Sequence, residues 1–201
     1  MYSVDLGKFY TSSKELGKID FSKLVHDSST FKIISVDMNN VDHKTAIVLL
    51  GKALNNFVNF SRKATRFTGN RVNDIGSALE ETIQQEISKV GLKAEKSKGS
   101  GYPDLIIKYG TLMIYVEMKS SGTKKKHEVN HRLFYYTSGK KIKTDALHLL
   151  LQIELTEVKD KIWIVDSWVL RDLAKLKVGL KSEFNANQKD FDMLGSISSS
   201  S

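Results

Sequence analysis

The sequence predicts an α/β fold: a mixed β-sheet core flanked by helices, with a mainly helical N-terminal part. Three observations carry that expectation. Apolar residues at helical spacing recur at Ala46, Ile47, Leu50, Ala53, Leu54 and Phe57, and again at Ile75, Leu79, Ile83 and Ile87. Short runs with strand character follow at Asp104–Tyr109, Thr111–Lys119, Ala146–Leu155 and Lys161–Trp168. The third of these runs is nearly continuous in apolar residues, as in a strand covered on both faces. Helix, three strands, helix, two strands and helix is the order of a sheet sandwiched between helices.

Taken in order, Phe31–Val36 is a short strand or an extended lead into the turn-like cluster Asp37-Met-Asn-Asn40. Asp42 is the expected N-cap of a long helix that ends near Phe60. It is apolar over much of its girth, which predicts burial in the core or at a dimer interface. A second helix spans about Asn73–Val90 and stops at Gly91. At 100° per residue its apolar stripe covers roughly 120° of the girth. Glu80 lies just beyond the edge of that arc, facing sideways. Glu81 lies opposite, towards solvent, and Glu86 falls inside the arc. Leu92–Ser97 alternates like an edge strand, and Lys98-Gly-Ser-Gly-Tyr102 is a flexible loop. The two strands after it form a hairpin turning at Gly110. A helix is expected over His127–Thr137, and another from Asp166 or Ser167 through Leu170, Leu173 and Leu176. Gly195–Ser201 is a low-complexity tail.

The chain has 201 residues, enough for one domain with a real core, and a net charge of +8. Such a basic balance favours a polyanionic partner, nucleic acid first. The absence of cysteine excludes disulfides, thiolate zinc sites and a cysteine nucleophile. No apolar run approaches a membrane span, the N-terminus lacks the pattern of a signal peptide, and no nucleotide-binding signature is present. A cytoplasmic location is expected.

The chemistry concentrates in Gly101–Lys119. Pro103-Asp104 opens one strand, and Glu117-Met118-Lys119 closes the next. Strand alternation places Glu117 and Lys119 on one face, where the Asp104 carboxylate converges on Glu117. Two carboxylates, the backbone carbonyl of Met118 and waters make a hard-oxygen site, suited to Mg2+. Glu80 joins this shell directly or through water. Lys119 orients or deprotonates an attacking water, or neutralises charge on a phosphate. Upstream, Arg62-Lys63-Ala-Thr-Arg66-Phe-Thr-Gly-Asn70-Arg71 carries cations without an acid, as a phosphate-gripping segment does. The scattered histidines make no metal motif, and His148 is expected to be a hydrogen-bonded core residue.

Pro103-Asp104 … Glu117-Met118-Lys119 resembles the signature of the PD-(D/E)xK nuclease superfamily, with matching pattern over about Asn73–Leu155. The resemblance implies a restriction-endonuclease-like fold and Mg2+-dependent hydrolysis of phosphodiester bonds, with Mn2+ as a substitute, leaving 5′-phosphate and 3′-hydroxyl ends. It implies Asp104 and Glu117 as metal ligands, Lys119 as the catalytic lysine, and Glu80 as an accessory acid. Within the superfamily the chain looks most like a small type II restriction endonuclease, cutting double-stranded DNA as a homodimer. Residues 1–70 would then serve DNA binding and/or dimerisation, 71–180 form the nuclease core, and 181–201 a C-terminal extension. Arg62, Lys63, Arg66, Asn70, Arg71, Lys124, Lys125 and Lys126 are candidate DNA contacts. Gln152, Asn70, Asn73, Arg132 and the Asn185–Gln188 loop are unranked candidates for reading bases. A structure-selective nuclease, such as a Holliday-junction resolvase or repair endonuclease, is the second reading. A nucleic-acid-binding protein without catalysis is the third.

Overall fold

A computed structural model describes residues 18–63, 67–99, 101–122, 136 and 139–179. Asp20–Leu176 forms one compact unit; in the other, the described strands are β1 (Lys18–Asp20) and β9 (Lys177–Gly179), paired as a two-stranded sheet. The larger unit contains α1 (Phe21–Ser29), β2 (Ile33–Ile34), α2 (Val41–Lys63), β3 (Phe67–Thr68), a 3-10 turn (Val72–Ile75) and α3 (Gly76–Lys89). Five strands follow: β4 (Lys93–Lys96), β5 (Leu105–Tyr109), β6 (Leu112–Gly122), β7 (Ala146–Lys159) and β8 (Ile162–Asp172). The fold is α/β around a mixed seven-stranded sheet in the order β3-β8-β7-β6-β5-β4, with β2 paired to β7.

The hairpin expected at Gly110 is β5–β6, antiparallel, with Leu105 opposite Val116 and Tyr109 opposite Leu112. Gly110 has φ 57°, the left-handed conformation that glycine adopts without a Cβ penalty. On its other edge β6 pairs with β7 in parallel, from Ile114 opposite Leu147 to Gly122 opposite Leu155. A parallel neighbour requires a crossover connection. The helix expected within that connection, over His127–Thr137, lies outside the described residues apart from Tyr136.

Helices α2 and α3 cover one face of the sheet. Ala46, Leu50, Ala53, Leu54, Phe57 and Val58 of α2 and Leu79, Ile83 and Ile87 of α3 pack into one core with Ile114 and Val116 of β6 and Leu147, Leu149, Leu151 and Ile153 of β7. Burial of α2 follows one stripe rather than its whole girth, since Val41, Val48 and Phe60 remain exposed. Its cap is also corrected. The helix begins at Val41, and Asn40 Oδ1, not Asp42, accepts the amides of Asp42 (3.0 Å) and His43 (3.1 Å). Glu86, the ambiguous acid of α3, is buried and paired with Lys89 at 2.6 Å.

The expected helix after Asp166 does not form, and β8 continues through Asp172 instead. The register explains the difference. Glu154 faces Ser167 and Leu155 faces Val165, so Asp166 is an extra, bulged residue. The bulge moves the inward parity from Trp163 and Val165 to Trp168 and Leu170. The spacing of Leu170, Leu173 and Leu176 that suggested a helix runs across the end of the strand, since Leu173 and Leu176 follow β8. The buried Ser61 hydroxyl accepts the Val165 amide at 2.8 Å, while the Arg62 guanidinium donates to the Asp166 carbonyl at 2.6 Å.

The opposite sheet face carries an aromatic cluster of Phe21, Tyr102, Tyr115 and His148. Tyr102 Oη lies 2.6 Å from His148 Nδ1 in the dry interior. Burial pushes the Tyr102 hydroxyl well above its ordinary range, so it is the donor, and His148 is the hydrogen-bonded core histidine expected from the sequence. Burial lowers the His148 pKa to about 4. A histidine depressed on folding stabilises the fold above its unfolded pKa near 6.5, and that contribution is lost as pH falls through about 4. Between those values the protein should lose on the order of 3 kcal/mol through this group. Denaturant unfolding of wild type and His148→Gln at pH 7 and pH 4 isolates the effect: the variant should show a correspondingly smaller pH dependence, and equal slopes would refute it.

Candidate active site

The site is built where β5 begins and β6 continues past it. Gly99 and Gly101 both take positive φ, at 76° and 83°, as the loop approaches the cis Tyr102–Pro103 bond. The chain enters β5 through two backbone bonds, Ser97 N to Asp104 O at 2.8 Å and Asp104 N to Val116 O at 3.0 Å. Asp104 Oδ2 accepts the Met118 amide at 2.7 Å, which locks the carboxylate across the two strands. Glu117 follows the strand alternation to the face of Tyr115 and Lys119. Its Oε1 accepts Lys119 Nζ at 2.5 Å. Its Oε2 is buried with no hydrogen-bond partner among the described residues.

A cleft of about 330 Å3 is lined by Asp104, Met118, Lys119 and Ser120 of this hairpin, by Ile153 of β7, and by Asn73, Gly76, Leu79 and Glu80 of the facing turn and helix. Glu80 therefore does look sideways into the site, whereas Glu81 is exposed on the far side. Glu80 is held by Lys96 of β4 at 2.6 Å. Residues 73, 76 and 80 stand one turn apart along the 3-10 turn and α3, so one helix face forms the wall.

Burial is the largest influence on both acids of the hairpin. It raises the Asp104 pKa, opposed by the Met118 amide and Lys119, with Glu80 adding to the rise. It raises that of Glu117 as well, reinforced by Asp104 and opposed by Lys119. Two carboxylates thus face one another in a half-dry place that does not fully compensate their charge. Among the described residues, no group of three or more His, Asp or Glu side chains could hold a metal ion.

Lys141 had no sequence signal. From the segment before β7 it donates to the carbonyls of Gly99 (2.8 Å) and Gly101 (2.7 Å), and its charge lowers the pKa values of Asp104 and Glu117. Only the crossover brings it across 40 residues to the loop.

The basic segment is divided by the structure. Arg62 is directed to Asp166 at 3.5 Å, and Arg71 to Asp74 at 3.7 Å. Lys63 and Asn70 are exposed. Asn73, just past the segment, is the residue that enters the cleft wall. Arg66, Lys124, Lys125, Lys126, Arg132 and Asn185–Gln188 lie outside the described residues.

A carboxylate whose pKa is raised on folding costs stability above its unfolded value, because the folded state then holds a disfavoured charge. Glu117→Gln keeps the shape and an acceptor for Lys119 while removing that charge. Its melting temperature at pH 7, measured in EDTA, should rise above wild type, by roughly 2–4 °C for each kcal/mol recovered. A lower value would show that Glu117 is a net stabilising ion pair.

The described residues contain no helix long and apolar enough to cross a membrane. A family model for the type II restriction enzyme MjaV family matches residues 15–192. The type II restriction enzyme MjaV of Methanocaldococcus jannaschii is 30% identical over 196 residues, covering 86% of this chain and 84% of that protein. The match runs through the β5–β6 hairpin, the cleft-facing helix and the whole sheet, and on it the chain belongs to the MjaV family of type II restriction enzymes.

Proposed function

We propose that this protein is a Mg2+-dependent, sequence-specific endonuclease of double-stranded DNA, built on a PD-(D/E)xK site and acting as a homodimer. Phosphodiester hydrolysis would leave 5′-phosphate and 3′-hydroxyl ends. The observation that carries the reading is that Asp104 and Lys119 line one cleft and Lys119 bonds Glu117 behind it, in a chain of a restriction enzyme family.

The residues fit a hard divalent cation. Glu117 Oε2 is a buried acceptor lacking a protein donor among the described residues, and both carboxylates lie in surroundings that penalise uncompensated negative charge. Asp104, Glu117 and the Met118 carbonyl would hold the ion, with Glu80 acting through water from its place on Lys96. Few protein oxygens and several waters suit Mg2+, with Mn2+ able to replace it. When bound, the ion lowers the pKa of a coordinated water and stabilises the leaving alkoxide.

The chain's own residues supply the rest. Lys119 is kept beside the carboxylates by its bond to Glu117, where its ammonium offsets charge developing on the phosphoryl oxygens and orients the attacking water. Asp104 cannot swing away from the cleft while it accepts the Met118 amide. Leu79 and Ile153 give the cleft apolar walls, which strengthen these electrostatic contacts by excluding water. Exposed Lys63 and Asn70, with Arg66 and Lys124–Lys126, are candidate contacts to the DNA backbone.

Supercoiled plasmid and phage DNA incubated with Mg2+ should give discrete fragments, abolished by EDTA. Lys119→Ala should lose at least ~10³-fold in cleavage rate, as removal of a transition-state interaction does. Cleavage confined to branched DNA would replace this reading with a structure-selective nuclease. No cleavage of any substrate would leave a binding protein. Sedimentation of the DNA-free protein at a monomer mass across micromolar concentrations would refute the homodimer.

A further inference from the structure

Three strands carry the face of Glu117 and Lys119 outward from the site. Glu117 of β6 is paired with Leu150 of β7, and Leu150 with Arg171 of β8. One row further along, Lys119 is paired with Gln152, and Gln152 with Val169. With strands about 4.8 Å apart, Gln152 neighbours the lysine directly, and Arg171 stands about 10 Å from Glu117. Across this face Arg171 Nε donates to Gln152 Oε1 at 2.6 Å.

Arg171 differs from the other two described arginines. Arg62 and Arg71 each have a carboxylate within ion-pair distance. Arg171 has none among the described residues, although it is exposed. The nearest acid along that face of β7, Glu154, accepts the Ser167 hydroxyl at 2.8 Å. A neutral amide therefore orients the guanidinium through Nε and leaves its charge uncancelled. Neither terminal nitrogen has a hydrogen-bond partner among the described residues, and the residue is exposed.

We infer that Arg171, buttressed by Gln152, is a specificity-determining residue that reads a guanine of the target duplex. A fixed guanidinium fork matches the O6 and N7 acceptors of guanine in the major groove. A phosphate contact needs only a mobile cation; the Gln152 buttress supplies the fixed direction that base readout requires. The row alignment puts this fork one to two strand widths from the reacting phosphate, over nucleotides flanking the cut. This inference rests on the proposed function, since it assigns the same site a base to read.

The test is digestion of a pool of duplex oligonucleotides with randomised positions in Mg2+, with sequencing of the cut ends. Wild type should select a sequence containing a guanine. Arg171→Lys should accept other bases at that guanine and lose roughly 10- to 100-fold in kcat/KM on the wild-type sequence. Gln152→Leu, which keeps the arginine but frees it, should relax the same position by a smaller factor. Arg171 is exposed and Gln152 only partly buried, and circular dichroism melts matching wild type confirm the fold of both variants. An unchanged cleavage spectrum in both variants overturns the inference alone. So does a uniform loss over all sequences with a salt slope lowered by about 1, the mark of a phosphate contact. A wild-type target without a G·C pair also overturns it. A wild type that cuts nothing overturns the proposed function and the inference together.

Discussion

Pairing of β6 on both of its edges is the constraint on which the rest of the structure depends. Its first half is bound antiparallel to β5 and its length in parallel to β7, so it cannot shift register without breaking two ladders. A one-residue slip would send Glu117 and Lys119 to the helical face and Met118 to theirs. The Asp104–Met118 bond adds a side-chain lock at the point where β5 begins. The geometry of Asp104, Glu117 and Lys119 is thereby carried by paired strands, and Lys141 ties the carbonyls of Gly99 and Gly101 from outside.

The two sheet faces divide the work. The face under α2 and α3 is apolar and supplies most of the core. The other begins with aromatic packing of Phe21, Tyr102, Tyr115 and His148 and passes, along the same strands, into Glu117, Lys119 and Gln152. Polar character thus increases along β6 and β7 from the dry cluster towards solvent. Glu117 lies at the transition, nearly buried yet charged, with one oxygen unsatisfied among the described residues. Protein interiors rarely leave such a group unpaired unless function requires it.

Helix and sheet also meet through two devices outside the motif. The bulge at Asp166 lets β8 turn Trp163 and Val165, and then Trp168 and Leu170, to the same core, and it presents the main chain to Ser61 and Arg62 at the end of α2. The 3-10 turn before α3 brings the chain in so that Asn73 and Glu80 share the cleft wall. Arg62 bonds the main chain of the bulge, and Arg71 pairs with Asp74 of its own turn.

Periodicity made much of this legible. The apolar stripe of α3, the hairpin at Gly110, the edge strand β4 and the shared face of Glu117 and Lys119 follow from local spacing, because each depends on residues a few positions apart. Sideways orientation of Glu80 was legible for the same reason. Tertiary structure alone decided the continuation of β8, since a bulge is defined by its partner strand. It alone decided that Asn40 caps α2, a choice between neighbouring polar residues settled by backbone geometry. And it alone brought Lys141 to the Gly loop and Gln152 beside Lys119, through a parallel crossover whose register is carried by no local pattern. Sequence determined the chemistry available to this protein; the pairing of distant strands decided which side chains stand next to it.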